Sequence, residues 1–359
     1  MNTSTHLIGI PNEYSKPKHQ MTNVALIGAG KMGVSHLSIL SAHPDVKIVG
    51  ISDTSKMILD VFKKYSSYPC FTDYEQMLKT ANPDAVVVAV PTKFHFAMVK
   101  KILDEGRHVF SEKPLCLTAE EGRILVDMAE RKGLVNQVGY HNKFVGTFKE
   151  AKRIIDGQYI GDLFHFVGEA YGPVVIKPKQ DNWRADPKEG GGCLMDYASH
   201  VIDLINHIIG PINNVKGALL KSLYSKNVED AVFALLEVNS TLSGVLSVNW
   251  SDETYRKMST GLTVIGTKGK IICDANELKV FFKNSNCPTG YTKGWNVKYV
   301  TDLTDSVDFY LRGEEYSLQI DHFIKSVEGK IASSVNSFES AWHTDRVISL
   351  IKNNVTIAV

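Results

Sequence analysis

"NVALIGAGKMGVSHLSILSA" occupies residues 23–42. Its first part, NVALIG (23–28), is an apolar run that reads as a buried strand, and residues 31–42 read as a helix. Between the two lies GAGKMG (28–33), a G-x-G-x-x-G pattern. The pattern alone is weak, because glycine serves many turns. Its place between a strand and a helix gives it chemical meaning. Gly28 permits a tight turn, Gly30 lets the backbone approach a pyrophosphate, and Gly33 lets the helix pack closely on the strand. The phosphates would rest on the helix N-terminus, where free N–H groups and the dipole favour negative charge. Lys31 and Met32 in that first turn join the glycines as candidate cofactor contacts.

A dinucleotide site of this kind also needs an acidic residue for the adenosine ribose about 20 residues further on. Asp53 ends the second strand run, VKIVGIS (46–52), and stands 20 residues after Gly33. Its carboxylate would accept the ribose hydroxyls and repel a 2′-phosphate, which selects NAD over NADP. Lys56 stands close by and pulls the other way.

Outward from this unit the chain keeps alternating. A helical stretch at 55–65 precedes the strand DAVVVAV (84–90). FAMVKKILDEG (96–106) reads as a helix and HVFSEKP (108–114) as a strand. Thr118 and Glu121 cap a helix that runs to about Lys132, and LVNQVGY (134–140) is a last strand. Alternation of this kind predicts a parallel sheet covered by helices on both faces. After helices near 147–156 and 194–209 the pattern changes to short strands in close succession, among them LFHFVGEA, AVFALLEV and LSGVLSVNW. GLTVIG and KIICD are joined by TKG, a hairpin signal. A largely antiparallel second sheet is expected, closed by two helices. In the first of these Tyr316, Ile320, Phe323 and Val327 form an apolar stripe. The expected division is a flexible arm at 1–21, a dinucleotide-binding domain at 22–141 and an α/β domain at 142–359 for substrate binding and assembly.

Composition narrows the function. The chain has 359 residues, enough for two cores, with 40 basic against 39 acidic side chains. That balance gives no electrostatic reason to expect nucleic acid or an anionic membrane. The run AVVVAV (85–90) is far too short to span a bilayer, and the first twenty residues do not read as a secretory signal. Five cysteines without a CxxC pair argue against a disulfide framework or structural zinc and for a reducing cytoplasm.

Two consecutive strand ends carry polar residues: PTKFH (91–95) and EKP (112–114). In an open α/β sheet, ligands bind outside the carboxyl ends of the strands. Pro91, Thr92, His95, Glu112 and Lys113 are therefore candidates to line the cofactor cleft. Further on, GGGCLMDYASHVIDLINHIIGP (190–211) reads as a helix with Asp196, His200, Asp203 and His207 in one row. The spacing i, i+4, i+7, i+11 puts all four on one face. As an isolated feature this is either a solvated face or a functional one.

Taken together, GAGKMG, ISD, PTKFH, EKPL and GGGCLMDYASHVID, in this order, resemble the Gfo/Idh/MocA oxidoreductases over residues 22–355. The resemblance implies a Rossmann domain, then an α/β domain whose open mixed sheet packs against another subunit in a homodimer or homotetramer. It also implies that Lys113, Asp196 and His200 face the nicotinamide, with Asp203 and His207 structural or solvated. Many members have Arg where Lys143 stands in GYHNKF (139–144), so a bidentate anion contact is lost here. Tyr140, Lys143, Trp183 and Arg184 are further candidate substrate contacts. Four helix residues could also serve as metal ligands, but the implied reaction needs no metal.

The expected reaction is NAD-dependent hydride transfer at a secondary alcohol or ketone of a sugar, sugar nucleotide or cyclitol. His200 would act as general acid/base, Lys113 would stabilise charge on the reacting oxygen, and Asp196 would orient the substrate or His200. The Lys and His roles are interchangeable at this stage. A non-catalytic dinucleotide sensor would not need all three residues. Reduction of an imine or enone is a second alternative.

Overall fold

The computed structural model describes residues 21–175, 183–307, 310, 313–331 and 335–355. Apart from Met21, the expected N-terminal arm lies outside them. The first sheet comprises β1 (Thr22–Ile27), β2 (Val46–Ser52), β3 (Cys70–Phe71), β4 (Ala85–Val88), β5 (His108–Ser111) and β6 (Asn136–Val138). All pair in parallel, in the order β3-β2-β1-β4-β5-β6. The intervening helices are α1 (Lys31–Ala42), α2 (Lys56–Tyr65), α3 (Tyr74–Ala81), α4 (His95–Asp104) and α5 (Ala119–Lys132). Val24, Leu26, Val86 and Val87 are fully buried because helices cover both faces, which is why these strands read as unbroken apolar runs. The strand order reverses between β1 and β4, so the crevice for a ligand opens at their carboxyl ends.

The second sheet follows α6 (Gly146–Asp156). Its strands are β7 (Leu163–Tyr171), β8 (Asn214–Lys221), β9 (Ala231–Asn239), β10 (Leu242–Asn249), β11 (Ser259–Gly266), β12 (Gly269–Asp274), β13 (Glu277–Phe282) and β14 (Gly294–Tyr299). Their order is β14-β13-β12-β11-β7-β10-β9-β8, antiparallel except for β7 beside β10. Between β7 and β8 lies α7 (Ser199–Ile208), which packs on the inner sheet face. It crosses β7 at Gly168, where a Cβ would sit 2.6 Å from Val201 and 2.7 Å from Ile205. The outer face exposes Phe233, Leu235, Val245, Trp295 and Val297.

After α8 (Val300–Leu303), the chain closes with α9 (Glu314–Val327) and α10 (Phe338–Asn353). The expected stripe on α9 is apolar because it returns to the first sheet: Ile320, Phe323 and Ile324 share a core with Val24, Leu26 and Phe110. Along α10, Phe338 and Ala341 join the first-sheet core, while Val347, Ile348 and Ile351 join the second. That helix therefore staples the two halves together.

Candidate active site

The glycine loop is shaped by contact. A Cβ on Gly28, whose φ is +91°, would meet Ala89 O at 2.5 Å, and one on Gly33 would fall 1.8 Å from Gly28 O. Gly30 is different: nothing lies within 4 Å of where its Cβ would be. No side chain caps α1 at Gly30, so its first-turn N–H groups face the crevice without a side-chain acceptor. The crevice, about 460 Å³, is lined by Gly28, Gly30, Asp53, Tyr74, Val90 and Pro91 among others. Asp53 Oδ2 accepts the Ala29 N–H at 2.7 Å and Oδ1 accepts the Ser55 N–H at 2.7 Å. Asp53 thus stands where an adenosine ribose would reach it, between the loops after β1 and β2. An open backbone cradle, a bare helix start and an adjacent carboxylate are the donor set a dinucleotide requires, so these residues fit NAD. Lys31 is exposed and Met32 half-buried at the same helix start.

Sequence reading missed the wall formed by Thr72, Asp73 and Tyr74. Its signal was present: Asp73 caps α3, accepting the N–H groups of Glu75 at 2.8 Å and Gln76 at 3.4 Å.

Two expected cofactor contacts are engaged by other parts of the protein. His95 is fully buried, its ring nitrogens 2.9 Å from the carbonyl oxygens of Val90 and Pro114. It ties the loops after β4 and β5 to each other and leaves no surface for a ligand. Glu112 is also turned inward, its Oε1 2.6 Å from His36 Nε2 and its Oε2 accepting the Lys113 N–H at 3.2 Å. Thr92 is buried against Gly190, while Pro91 remains exposed at the crevice.

The opposite wall is the start of the glycine-led helix. It does not begin as an α-helix: Leu194–Ala198 form a π-helical turn that leads into α7. Asp196 sits in that turn, between two cations. Lys113 Nζ donates to Asp196 Oδ1 at 2.7 Å and to its carbonyl at 3.0 Å. Arg184 Nε donates to Asp196 Oδ2 at 2.9 Å. Burial alone would push this carboxyl up, but Lys113 and Arg184 outweigh it and hold the group well below the usual carboxylate range. Arg184 also lies 4.5 Å over the ring of Trp183, so the loop before the glycines is bound to the site.

His200 is 5% exposed, and burial, the Lys113 charge and His141 push its pKa well down, against the pull of Asp196. The imidazole is therefore a neutral acceptor near neutral pH. The ring of Tyr140 meets it edge-on at 5.8 Å and that of His141 at 5.3 Å. His141 in turn stacks on Tyr316 at 4.6 Å. His141 was not singled out in the sequence, and Tyr316 appeared there only in the apolar stripe of α9, because that helix reaches the site only through the fold.

The rest of the row is not a solvated face. Asp203 is 1% exposed and paired with Lys143 at 2.8 Å, whose side chain is fully buried. Lys143, expected as a substrate contact, is engaged as the partner of Asp203, and Tyr140, 1% exposed, packs against His200. His207 is half-buried. With Asp196 held by two cations and Asp203 by one, the carboxylates of the row are already partnered. Among the described residues no group of three His, Cys, Asp or Glu side chains is arranged to hold a metal ion.

A parallel sheet with a dinucleotide cradle, facing a helix that brings a lysine, an aspartate and a histidine together, defines a two-domain NAD-dependent oxidoreductase. Residues 22–140 match an oxidoreductase family with an NAD-binding Rossmann fold, and residues 148–272 match the GFO/IDH/MocA C-terminal domain. The chain belongs to the Gfo/Idh/MocA family. It is 25% identical to the scyllo-inositol 2-dehydrogenase (NAD(+)) of Bacillus subtilis over 319 residues, 86% of this chain and 87% of that one. Against an uncharacterized oxidoreductase of Schizosaccharomyces pombe it is 30% identical over 183 residues, a match spanning half the length of each. A levoglucosan dehydrogenase solved with NADH superposes with a TM-score of 0.83 over 93% of this chain and 97% of that one. At 21% identity that likeness is one of fold.

Proposed function

We propose that this oxidoreductase moves hydride between NAD and a secondary alcohol or ketone carbon of a sugar, sugar nucleotide or cyclitol. The observation that carries the reading is the Lys113–Asp196–Arg184 cluster beside a neutral, buried His200. NAD, when bound, supplies the carbon that accepts or returns the hydride. His200 takes the proton from the substrate hydroxyl as the carbon is oxidised and returns it in reduction. Lys113 donates a hydrogen bond to the reacting oxygen and stabilises its developing negative charge. Asp196 holds Lys113 in reach and neutralises half of the surrounding positive charge. Trp183 and Arg184 cover the substrate.

The similarity to a scyllo-inositol dehydrogenase supports a polyol substrate. A sensor without catalysis would not require this cluster, which favours an enzyme. The same reading takes residues 22–141 as the NAD domain and 142–359 as the substrate and assembly domain, with α9 lent back to the first. It places the protein in the cytoplasm, in keeping with five free cysteines. No described helix is long and apolar enough to cross a membrane. The exposed apolar residues on the outer face of the second sheet support a homodimer or homotetramer.

The test is a screen by NADH absorbance: cyclitols, free sugars and sugar nucleotides with NAD in one arm, imines and enones with NADH in the other. Mass spectrometry of small molecules retained by the purified protein guides the choice of substrates. Turnover confined to imines or enones would overturn the reading.

A further inference from the structure

His36 is fully buried on the inner side of α1, a turn beyond the phosphate cradle, and nothing in the proposed reaction uses it. Its Nε2 lies 2.6 Å from Glu112 Oε1. Burial pushes the Glu112 carboxyl up, yet the hydrogen bond and charge of His36, with help from Lys113, bring it below its ordinary value. Glu112 is therefore ionised, and His36 Nε2 carries the proton and donates. The other carboxylate oxygen accepts the Lys113 N–H at 3.2 Å. Glu112 is further confined by Gly139, where a Cβ would come within 3.0 Å of its carboxylate atoms. The ring of His36 is fixed edge-on against Phe110 at 5.1 Å. A continuous path thus runs from the dinucleotide helix through His36 and Glu112 to the backbone of Lys113. From there Lys113 Nζ reaches Asp196 Oδ1 at 2.7 Å.

A buried His–Glu pair is a costly way to fill space between a helix and a strand end, since both groups lose water. What an apolar pair could not do is hold a backbone N–H in a set direction. We propose that His36 and Glu112 form a positioning pair that fixes Lys113, so that its ammonium stays against Asp196 at the reacting oxygen. Neither residue touches the substrate; both act through Lys113. The inference rests on the reading of Lys113 as the donor to that oxygen, but its first test does not depend on turnover.

Full-length protein is treated with trinitrobenzenesulfonate, and labelling of each lysine is followed by peptide mass spectrometry. In wild type, Lys113 should react slowly, because its amine is ion-paired and largely buried. His36→Leu removes the donor and should speed labelling of Lys113 by about fivefold or more while exposed lysines keep their rates. His36→Gln can still donate to Glu112 and should stay within about twofold of wild type. If His36→Leu does not fold, Glu112→Leu serves instead. It removes the acceptor of the Lys113 N–H altogether, so Lys113 labelling should again rise. With a substrate in hand, His36→Leu should lower kcat by about tenfold or more while KM and NADH affinity hold within about threefold, and His36→Gln should recover it. Unchanged Lys113 labelling in His36→Leu, or in Glu112→Leu where that variant replaces it, overturns the proposal. Equal acceleration in Leu and Gln overturns it too, because loosening of the core would then explain both. A labelling result as expected with no change in kcat leaves the pair in place and overturns the role of Lys113 in the reaction.

Discussion

Lys143 and Asp203 form an ion pair of 2.8 Å in which neither side chain is more than 1% exposed, one turn of helix beyond His200. Burial pushes the Asp203 carboxyl up to about 6, with Lys143 pulling in the opposite direction. Lys143 Nζ also donates to Ser340 Oγ on α10 at 2.7 Å, so the pair ties α7 to the helix that staples both cores.

This pairing predicts a pH-dependent stability gap for Lys143→Met. A carboxyl raised from about 3.9 in the unfolded chain binds more protons folded than unfolded between the two pKa values, so stability falls as pH rises through that window. In wild type the fall through this group ends near the folded value of about 6. Without Lys143 the folded value climbs further, and the fall continues beyond it. Urea unfolding at successive pH values from about 6 to about 8 should show the variant losing ground by up to about 1.4 kcal/mol per pH unit. A gap that stays constant over that range would show that Lys143 does not set the charge state of Asp203.

The two glycines at the start of α1 should separate fold from binding. A Cβ on Gly33 has no room beside Gly28 O, whereas one on Gly30 meets nothing, and Gly30 has φ −70°, open to any residue. Gly30→Ala should therefore melt with wild type and bind NADH about tenfold or more weakly, because the methyl occupies the place of the pyrophosphate. Gly33→Ala should lose thermal stability outright. Melting curves and NADH fluorescence titration check both. Unaltered NADH affinity in Gly30→Ala would mean the phosphates do not sit on this loop.

The contrast between these sites shows what a sequence discloses. The cradle was legible because a strand, three glycines, a helix and a distant aspartate lie within 31 residues and their spacing carries the geometry. Lys143 and Asp203 stand 60 residues apart, and a lysine in a loop beside a phenylalanine gives no sign that it is buried. Helical spacing predicts Asp196, His200, Asp203 and His207 in a row, although Asp196 lies in a π-helical turn. It could not tell a solvated row from a buried one, because the partners come from elsewhere in the chain. Likewise the stripe on α9 shows that the helix is buried, but not that it returns to the first sheet. His36 lies among the apolar residues of α1 with no local pattern to mark it.

The outer face of the second sheet should be an interface. Leu235 and Val245 are direct neighbours across β9 and β10, and both are exposed, as are Phe233, Trp295 and Val297. A stable interface needs roughly 1,000 Å² or more of buried surface, and a sheet face of this breadth can supply it. Light scattering at micromolar concentration should return a dimer or tetramer mass, and Leu235→Lys should shift it toward monomer. A monomeric wild type would remove the assembly role from this face.

The reaction should depend on His200 and Lys113 and be indifferent to His207. Burial, with Lys143 and Lys152, drives the His207 ring down to about 3, so it is neutral at working pH like His200, and position rather than charge sets it apart. It lies seven residues along the helix from His200, about 10 Å at 1.5 Å per residue, beyond hydrogen-bond reach of the same substrate. Removing a general acid/base typically lowers rate by about 10²- to 10⁴-fold, and that is the loss expected for His200→Ala. Lys113→Ala should lose turnover too, with NADH affinity largely kept. The depressed pKa of His200 adds a pH signature. Since the neutral ring is the base, alcohol oxidation should hold its rate as pH falls through the ordinary histidine value of about 6.5 and decline only well below it. Turnover and NADH titration on the three variants, with a pH profile of wild type, test all of this together. If His207→Ala folds normally yet loses as much activity as His200→Ala, the chemistry sits further along α7 than Lys113 and Asp196 allow.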